Sequence, residues 1–201
     1  LFWYYVVMKL IGIAGGTCSG KSTLLHGLVE QLGDKVSVLS FDDYFIGSDL
    51  YNLDDIRDFE DSGLYNFGGF VRDLTAIKRG EAVTIRANSR ESVEAGIKER
   101  TIQDKPIVIV EGWLIYHNLA AREIFDLKVF IELPEKEIVR RRFNRSKGSK
   151  HWDNHDYIDN KILPAHRKYV EPQKKYADIV IDGTKPQAEL LKELSLLIDK
   201  P

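Results

Sequence analysis

Cysteine is nearly absent from this sequence: Cys18 stands alone among 201 residues. That excludes a disulfide framework and a cluster of thiolate metal ligands, and it suits a reducing compartment. Net charge is nearly absent too. Lysine and arginine number 29 against 31 aspartate and glutamate, a balance of −2. Such a chain has no global attraction to nucleic acid or to an anionic membrane surface. Repeats and low-complexity tracts are lacking. The apolar opening, Leu1-Phe2-Trp3-Tyr4-Tyr5-Val6-Val7, is closed by Lys9 and is too short to span a bilayer. It also lacks the basic start and small-residue cleavage site of a secretory signal. Met8 is the single methionine. Residues 1–7 therefore read as an extension ahead of the natural start; an extra strand or interface segment is the rival reading. What is present, 43 % hydrophobic residues, suffices for one domain over residues 8–201.

The remaining pattern alternates. Short β-branched apolar runs at 9–14, 36–40, 106–110, 127–132 and 177–181 read as parallel strands buried on both faces. Helical periodicity covers 21–32, 67–79, 119–125, 135–145, 155–169 and 186–199. This spacing predicts an α/β fold, a doubly wound parallel sheet with helices on both faces, whose ligands bind beyond the carboxyl ends of the strands. Residues 43–69, rich in Asp, Gly, Tyr and Asn, read as a long functional loop. Residues 80–103 read as part of a small substrate-covering insert, which spans about 43–103 in all.

One segment carries the chemistry most directly. Gly15-Gly16-Thr17-Cys18-Ser19-Gly20-Lys21-Ser22 fits G-x-x-x-x-G-K-[ST] at every fixed position. It lies between an apolar strand pattern and a helix pattern, as the mechanism requires. Backbone N–H groups of such a loop turn inward around phosphates, and the helix N-terminus adds partial positive charge. Lys21 would reach the β- and γ-phosphates and the Ser22 hydroxyl would ligate Mg²⁺. A glycine-rich turn without a ligand is the bland alternative.

Asp42, in Ser40-Phe41-Asp42-Asp43-Tyr44-Phe45, follows the second strand. A carboxylate there can orient an acceptor hydroxyl and take its proton; it can equally be a turn residue. Glu111 ends the run Ile107-Val108-Ile109-Val110. A buried strand-end carboxylate needs a cation or a hydrogen-bond donor, so Mg²⁺ and a structural hydrogen bond are both open. Arginine and lysine dominate residues 140–150. A solvated helix end, a nucleic-acid patch and a lid over about 140–155 that closes on a nucleotide compete there. The lid is favoured by the phosphate loop. His151 and His155, spaced i, i+4, lack a third ligand for zinc. Cys18 reads as a loop filler before it reads as a redox thiol, and the sequon at Asn144 carries no meaning by itself.

Taken together these residues resemble the uridine kinase-like family of phosphate-loop kinases. The resemblance runs from about Lys9 to Thr184. It rests on Ile11 to Thr23, Ser40 to Phe45, Val110-Glu111-Gly112 and Lys175-Tyr176-Ala177-Asp178-Ile179-Val180-Ile181. It implies a P-loop NTPase-type parallel sheet with a mobile Arg-rich lid. It further implies ATP or GTP as phosphoryl donor, bound by Gly15, Gly16, Thr17, Cys18, Ser19, Gly20, Lys21, Ser22, Thr23 and Arg141. Ser22 and Glu111 would hold Mg²⁺, Asp42 would act as general base, and Arg142 and Arg145 would assist Lys21 at the transferring phosphoryl group. On the acceptor side the family's Tyr-Asp-Phe and nearby His are replaced by Ile85-Arg86-Ala87-Asn88-Ser89-Arg90. Candidates there are Asp43, Tyr44, Glu60 and Arg90, with Asp61 and Asn66 arising from other alignments.

The expected activity is ATP-dependent phosphorylation of the 5′-hydroxyl of a ribonucleoside, uridine or cytidine first. Nicotinamide riboside or another hydroxylated metabolite is the alternative acceptor, because Glu111-Gly112-Trp113-Leu114-Ile115-Tyr116 and Asp182-Gly183-Thr184-Lys185 match nicotinamide riboside kinases comparably. A nucleotide-binding switch is the alternative of another class. The expected partners are small molecules, with no nucleic acid and no membrane. The expected setting is cytoplasmic, and a homo-oligomer stays open.

Overall fold

Strand β1 (Lys9–Gly15) shows why the sheet is buried on both sides. Its side chains alternate, with Leu10 and Ala14 joining one apolar core and Ile11 and Ile13 the other. The computed structural model describes residues 8–46, 60–145 and 155–198. Among them, β1 lies at the centre of a five-stranded parallel sheet. The others are β2 (Val36–Ser40), β5 (Ile107–Gly112), β6 (Leu127–Glu132) and β7 (Ile179–Asp182), in the order β2-β5-β1-β6-β7. Ile13 is level with Glu111 on one side and Val129 on the other. Ser40 is level with Glu111, and Glu132 with Asp182.

Helices α1 (Lys21–Leu32) and α8 (Gln187–Ile198) cover one face, where Leu24, Leu28, Leu190 and Leu194 meet Ile11, Ile109 and Ile181. Helix α2 (Phe67–Lys78) covers the other through Phe70, Leu74 and Ile77. Burying each such side chain contributes about 1.5–3 kcal/mol. Gly12 is fixed by packing. A Cβ there would lie 2.6 Å from Tyr116 Oη, which donates to the Val129 carbonyl at 3.2 Å.

Two regions depart from the expected elements. The apolar Val83-Thr84-Ile85 becomes β3 (Val83–Arg86), paired antiparallel with β4 (Glu99–Ile102). The short α3 (Arg90–Glu94) lies between them. The charged stretch concealed this hairpin, since Ile85 and Ile102 turn inward while Thr84 and Thr101 bond across the exposed face. The helix expected over 155–169 is composite. It runs through α6 (His155–Tyr157), a π turn (Ile158–Ile162), α7 (Leu163–Ala165), a second π turn (His166–Val170) and a 3₁₀ turn (Glu171–Tyr176). Pro164 and Pro172 cannot donate to the preceding turn, and the wider and tighter turns accommodate the gaps. Helix α4 (Leu119–Arg122) is shorter than expected; it is capped by Asn118, whose side chain accepts from Ala121 N. Helix α5 (Glu135–Arg145) follows β6.

Candidate active site

The carboxyl ends of the strands form the cleft, and the turn from β1 into α1 forms its floor. The backbone reverses at Cys18 (φ 59°) and Gly20 (φ 97°). Left-handed residues placed among right-handed ones turn successive N–H groups toward one concavity. Gly20 precedes α1 without a side-chain cap, and no acidic residue lies in the first turn. The N-terminal amides of α1 are thus not capped by a side chain of their own helix. Ser19 is buried with its hydroxyl unpaired among the described residues. Ser22 and Thr23 are exposed. Lys21 Nζ donates to the carbonyls of Gly15 and Gly16 at 2.8 and 3.0 Å.

Helix α5 docks on this loop through its arginines. Arg141 bridges three places, donating to Glu137 at 2.7 Å, to the Cys18 carbonyl at 3.2 Å and to the Gly183 carbonyl at 2.9 Å. Arg142 reaches Thr17 Oγ1 at 3.4 Å. Arg145 is exposed at the end of α5. Arg140 turns away and pairs with Glu137, whose carboxyl is held down at about 2 by Arg140 and Arg141. The rest of the expected lid, including His151 and the His155 side chain, lies outside the described residues.

Two carboxylates face the loop. Glu111, almost fully buried, accepts from Ser40 Oγ at 2.6 Å. Asp42 lies in the 3₁₀ turn Phe41–Tyr44 just beyond β2. Dense surrounding protein and the Glu111 charge push its carboxyl up to about 7, with Asp43 and Glu60 adding to the rise and Lys21 opposing it. Asp42 itself is open to solvent, so water screens part of this effect; the upward direction and the proximity of Glu111 and Lys21 are what matter.

Asp43 is buried and occupied within the protein. It accepts from Ser89 N at 2.8 Å and lies 3.7 Å from Arg100 Nε, while Arg100 also donates to Ser92 Oγ at 3.0 Å. Asp43 thus fastens the β3–β4 hairpin to the turn that bears Asp42, and Asn88 adds a bond to the Phe45 carbonyl. Tyr44 is likewise internal. Its hydroxyl donates to buried Asp73 at 2.9 Å, and burial together with that carboxylate raises it far above the ordinary tyrosine value. Asp61 caps a short turn by accepting from Gly63 N, and Asn66 caps α2 by accepting from Gly69 N. Arg90 begins α3, and its side chain lies outside the described residues.

Beside the Asp42 turn stands an aromatic wall that no motif in the sequence reveals. Tyr65 stacks on Phe41 at 4.9 Å and meets Trp113 edge-on at 5.5 Å, and Tyr169 meets Trp113 and His117. Gln173 holds this wall together. Buried between Pro172 and two lysines in no periodic pattern, it accepts from Tyr116 N at 2.9 Å and donates to the carbonyls of Trp113 and Tyr169 at 2.6 and 2.8 Å. Asp73, Arg100 and Gln173 carry no local sequence signal; only the fold brings them to the cleft.

Among the described residues no helix is long and apolar enough to cross a membrane. Relatives accord with the geometry. The chain is 29 % identical over 205 residues to a uridine kinase of Chlamydia pneumoniae, covering 94 % of this chain and 88 % of that one. It is 29 % identical to a uridine kinase of Clostridium perfringens over 85 % of each chain. The fold matches a phosphoribulokinase from Rhodobacter spheroides with a TM-score of 0.62 and 15 % identity, covering 90 % of this chain and 74 % of the other. The model of the phosphoribulokinase/uridine kinase family matches residues 10–188. The chain belongs to that family, and it is a phosphotransferase with a hydroxyl acceptor.

Proposed function

We propose that the protein transfers the γ-phosphoryl group of ATP to the 5′-hydroxyl of a ribonucleoside, uridine or cytidine. One observation carries the reading: Asp42, a solvent-open carboxylate, stands beside the phosphate loop within the influence of both Lys21 and Glu111. The uncapped amides of α1, the unpaired Ser19 hydroxyl and Arg141 support a phosphate chain on the floor of the cleft. Lys21 would leave its two loop carbonyls to hold the β- and γ-phosphates. Arg142 and Arg145 would neutralise charge on the group in transit, and Asp42 would take the acceptor proton. Positioning and electrostatics then supply most of the acceleration.

The donor set also fits Mg²⁺. Ser22 and Glu111 offer hard oxygens, and among the described residues no cluster of three or more His, Cys, Asp or Glu is placed to hold a metal. Mg²⁺ is commonly held by one or two protein oxygens together with substrate phosphates. Ser22 and Glu111 would hold the ion, which would supply positive charge against that of the phosphates.

The wall of Tyr65, Trp113 and Tyr169 suits a planar base. Nicotinamide riboside presents such a ring as well and is the second acceptor reading. The test is ADP release from MgATP with uridine, cytidine, adenosine or nicotinamide riboside. Release with uridine or cytidine alone is expected. Release with another acceptor alone reassigns the substrate, and release that ignores the acceptor points to a hydrolysing switch.

A further inference from the structure

His166 has no part in the steps above. It begins the second π turn, is 9 % exposed, and its buried Nδ1 has no hydrogen-bond partner among the described residues. Its ring edge rests on the phosphate loop. A Cβ added at Gly16 would lie 2.7 Å from Nδ1 and 2.9 Å from Cε1. Burial holds the imidazole below its ordinary value; the charges of Arg167 and Lys21 act in the same sense, and Glu171 and Glu135 oppose them.

The carbonyl of that same glycine has a donor it is due to lose. Lys21 holds the Gly15 and Gly16 carbonyls at 2.8 and 3.0 Å. An ammonium that turns to a nucleotide's phosphates releases them. Gly16, itself buried, then keeps among the described residues only the 3.3 Å bond from Ser19 N. A buried carbonyl deprived of its donor carries a desolvation penalty. A buried ring nitrogen without a partner, resting against that residue, calls for a reason of its own.

We propose that His166 Nδ1–H takes over the Gly16 carbonyl that Lys21 releases, which makes His166 a positioning residue that holds the phosphate loop in its ligand-accepting form. The exchange requires the tautomer with its proton on Nδ1. The proposal rests on the reading of residues 15–22 as a phosphate site and is independent of the acceptor.

The test compares MgATP affinity by titration calorimetry in the full chain and in His166→Phe and His166→Asn. Phenylalanine keeps a ring against Gly16 and removes the donor; the asparagine amide nitrogen falls close to the place of Nδ1. The dissociation constant is expected to rise about tenfold in His166→Phe and to return to within about threefold of the parent in His166→Asn. The unfolding midpoint without nucleotide is expected not to follow that order. Equal affinity of the parent and His166→Phe overturns the proposal, and so does equal weakening in both variants, which packing alone would produce. Should His166→Phe fail to fold, ¹⁵N spectra of the parent decide. A protonated Nδ1 whose exchange slows with MgADP supports the proposal, and a bare Nδ1 in that complex overturns it. A folded parent that binds no MgATP overturns the phosphate-site reading, and this inference with it.

Discussion

The phosphate loop is one run of eight residues at the turn from β1 into α1, whereas the aromatic wall draws Tyr65, Trp113, His117 and Tyr169 from segments far apart in the chain. The loop's shape comes from its own backbone, through left-handed turns at Cys18 and Gly20. The wall's shape is borrowed from buried polar side chains, Asp43, Asp73 and Gln173, that tie one segment to another. A site built the first way can be read from a motif. A site built the second way can change its occupant through substitutions outside any motif.

The comparison predicts that donor-side changes alter nucleotide handling with every acceptor, while acceptor-side changes spare the nucleotide. The largest effect is expected from Lys21→Ala, a fall in turnover of about 10³-fold, accompanied by a modest drop in the unfolding midpoint because the buried Gly15 and Gly16 carbonyls lose their donor. Near-normal turnover in that variant would break the donor-side assignment. Next is Asp42→Asn, expected to lower turnover about 10²-fold while MgATP binding, followed by calorimetry, stays near that of the parent. Surrounding protein and the Glu111 charge push the Asp42 carboxyl up toward about 7, water screening part of the rise, and the base form is the unprotonated one. The parent's kcat/KM should therefore decline as pH drops below neutrality, and Asp42→Asn should lose that limb. A loss of nucleotide binding would instead assign Asp42 to the metal or the fold.

Smaller effects sharpen the contrast within single elements. Arg141→Ala removes bonds to the Cys18 and Gly183 carbonyls and should raise the nucleotide KM about tenfold. Its neighbour Arg140, paired among the described residues with Glu137 across an exposed turn, should give no measurable change as Arg140→Ala. Arg100→Met strips the buried Asp43 of its cation. Stability is expected to fall by about 1–3 kcal/mol in a denaturant titration, with the acceptor KM rising and the nucleotide KM unmoved. An equal rise in both would show that the hairpin serves the whole cleft.

The parallel sheet, α1 and α5 were legible because each obeys a local rule: apolar runs buried on both faces, an arginine-rich amphipathic helix, a glycine pattern between strand and helix. The β3–β4 hairpin was not, since its inward isoleucines are outnumbered by charges on the outward face. Asp43 and Tyr44 read from the sequence as substrate contacts, and the structure instead turns both inward, Asp43 to Ser89 and Arg100 and Tyr44 to Asp73. Whether the carboxylate next to Asp42 faces the cleft or a serine pair in the next hairpin depends on Ser89, Ser92 and Arg100, some fifty residues on. His166 and Gln173 had no signal, because a single buried polar residue in a proline-interrupted helix has no period.

The central position of β1 has a consequence for the order in which the molecule can assemble. During synthesis β1 emerges before the other four strands of this sheet, carrying the apolar side chains of Leu10, Ile11 and Ile13. Neither of its partners exists until Ile107–Gly112 and then Leu127–Glu132 have followed. Pairings of such long sequence separation are slow to form, and an unpaired apolar strand invites association with other chains in the interval. The strand that leads into the phosphate loop is thus the part of the nascent chain with the longest wait for its neighbours, and the part a chaperone would have most reason to shield.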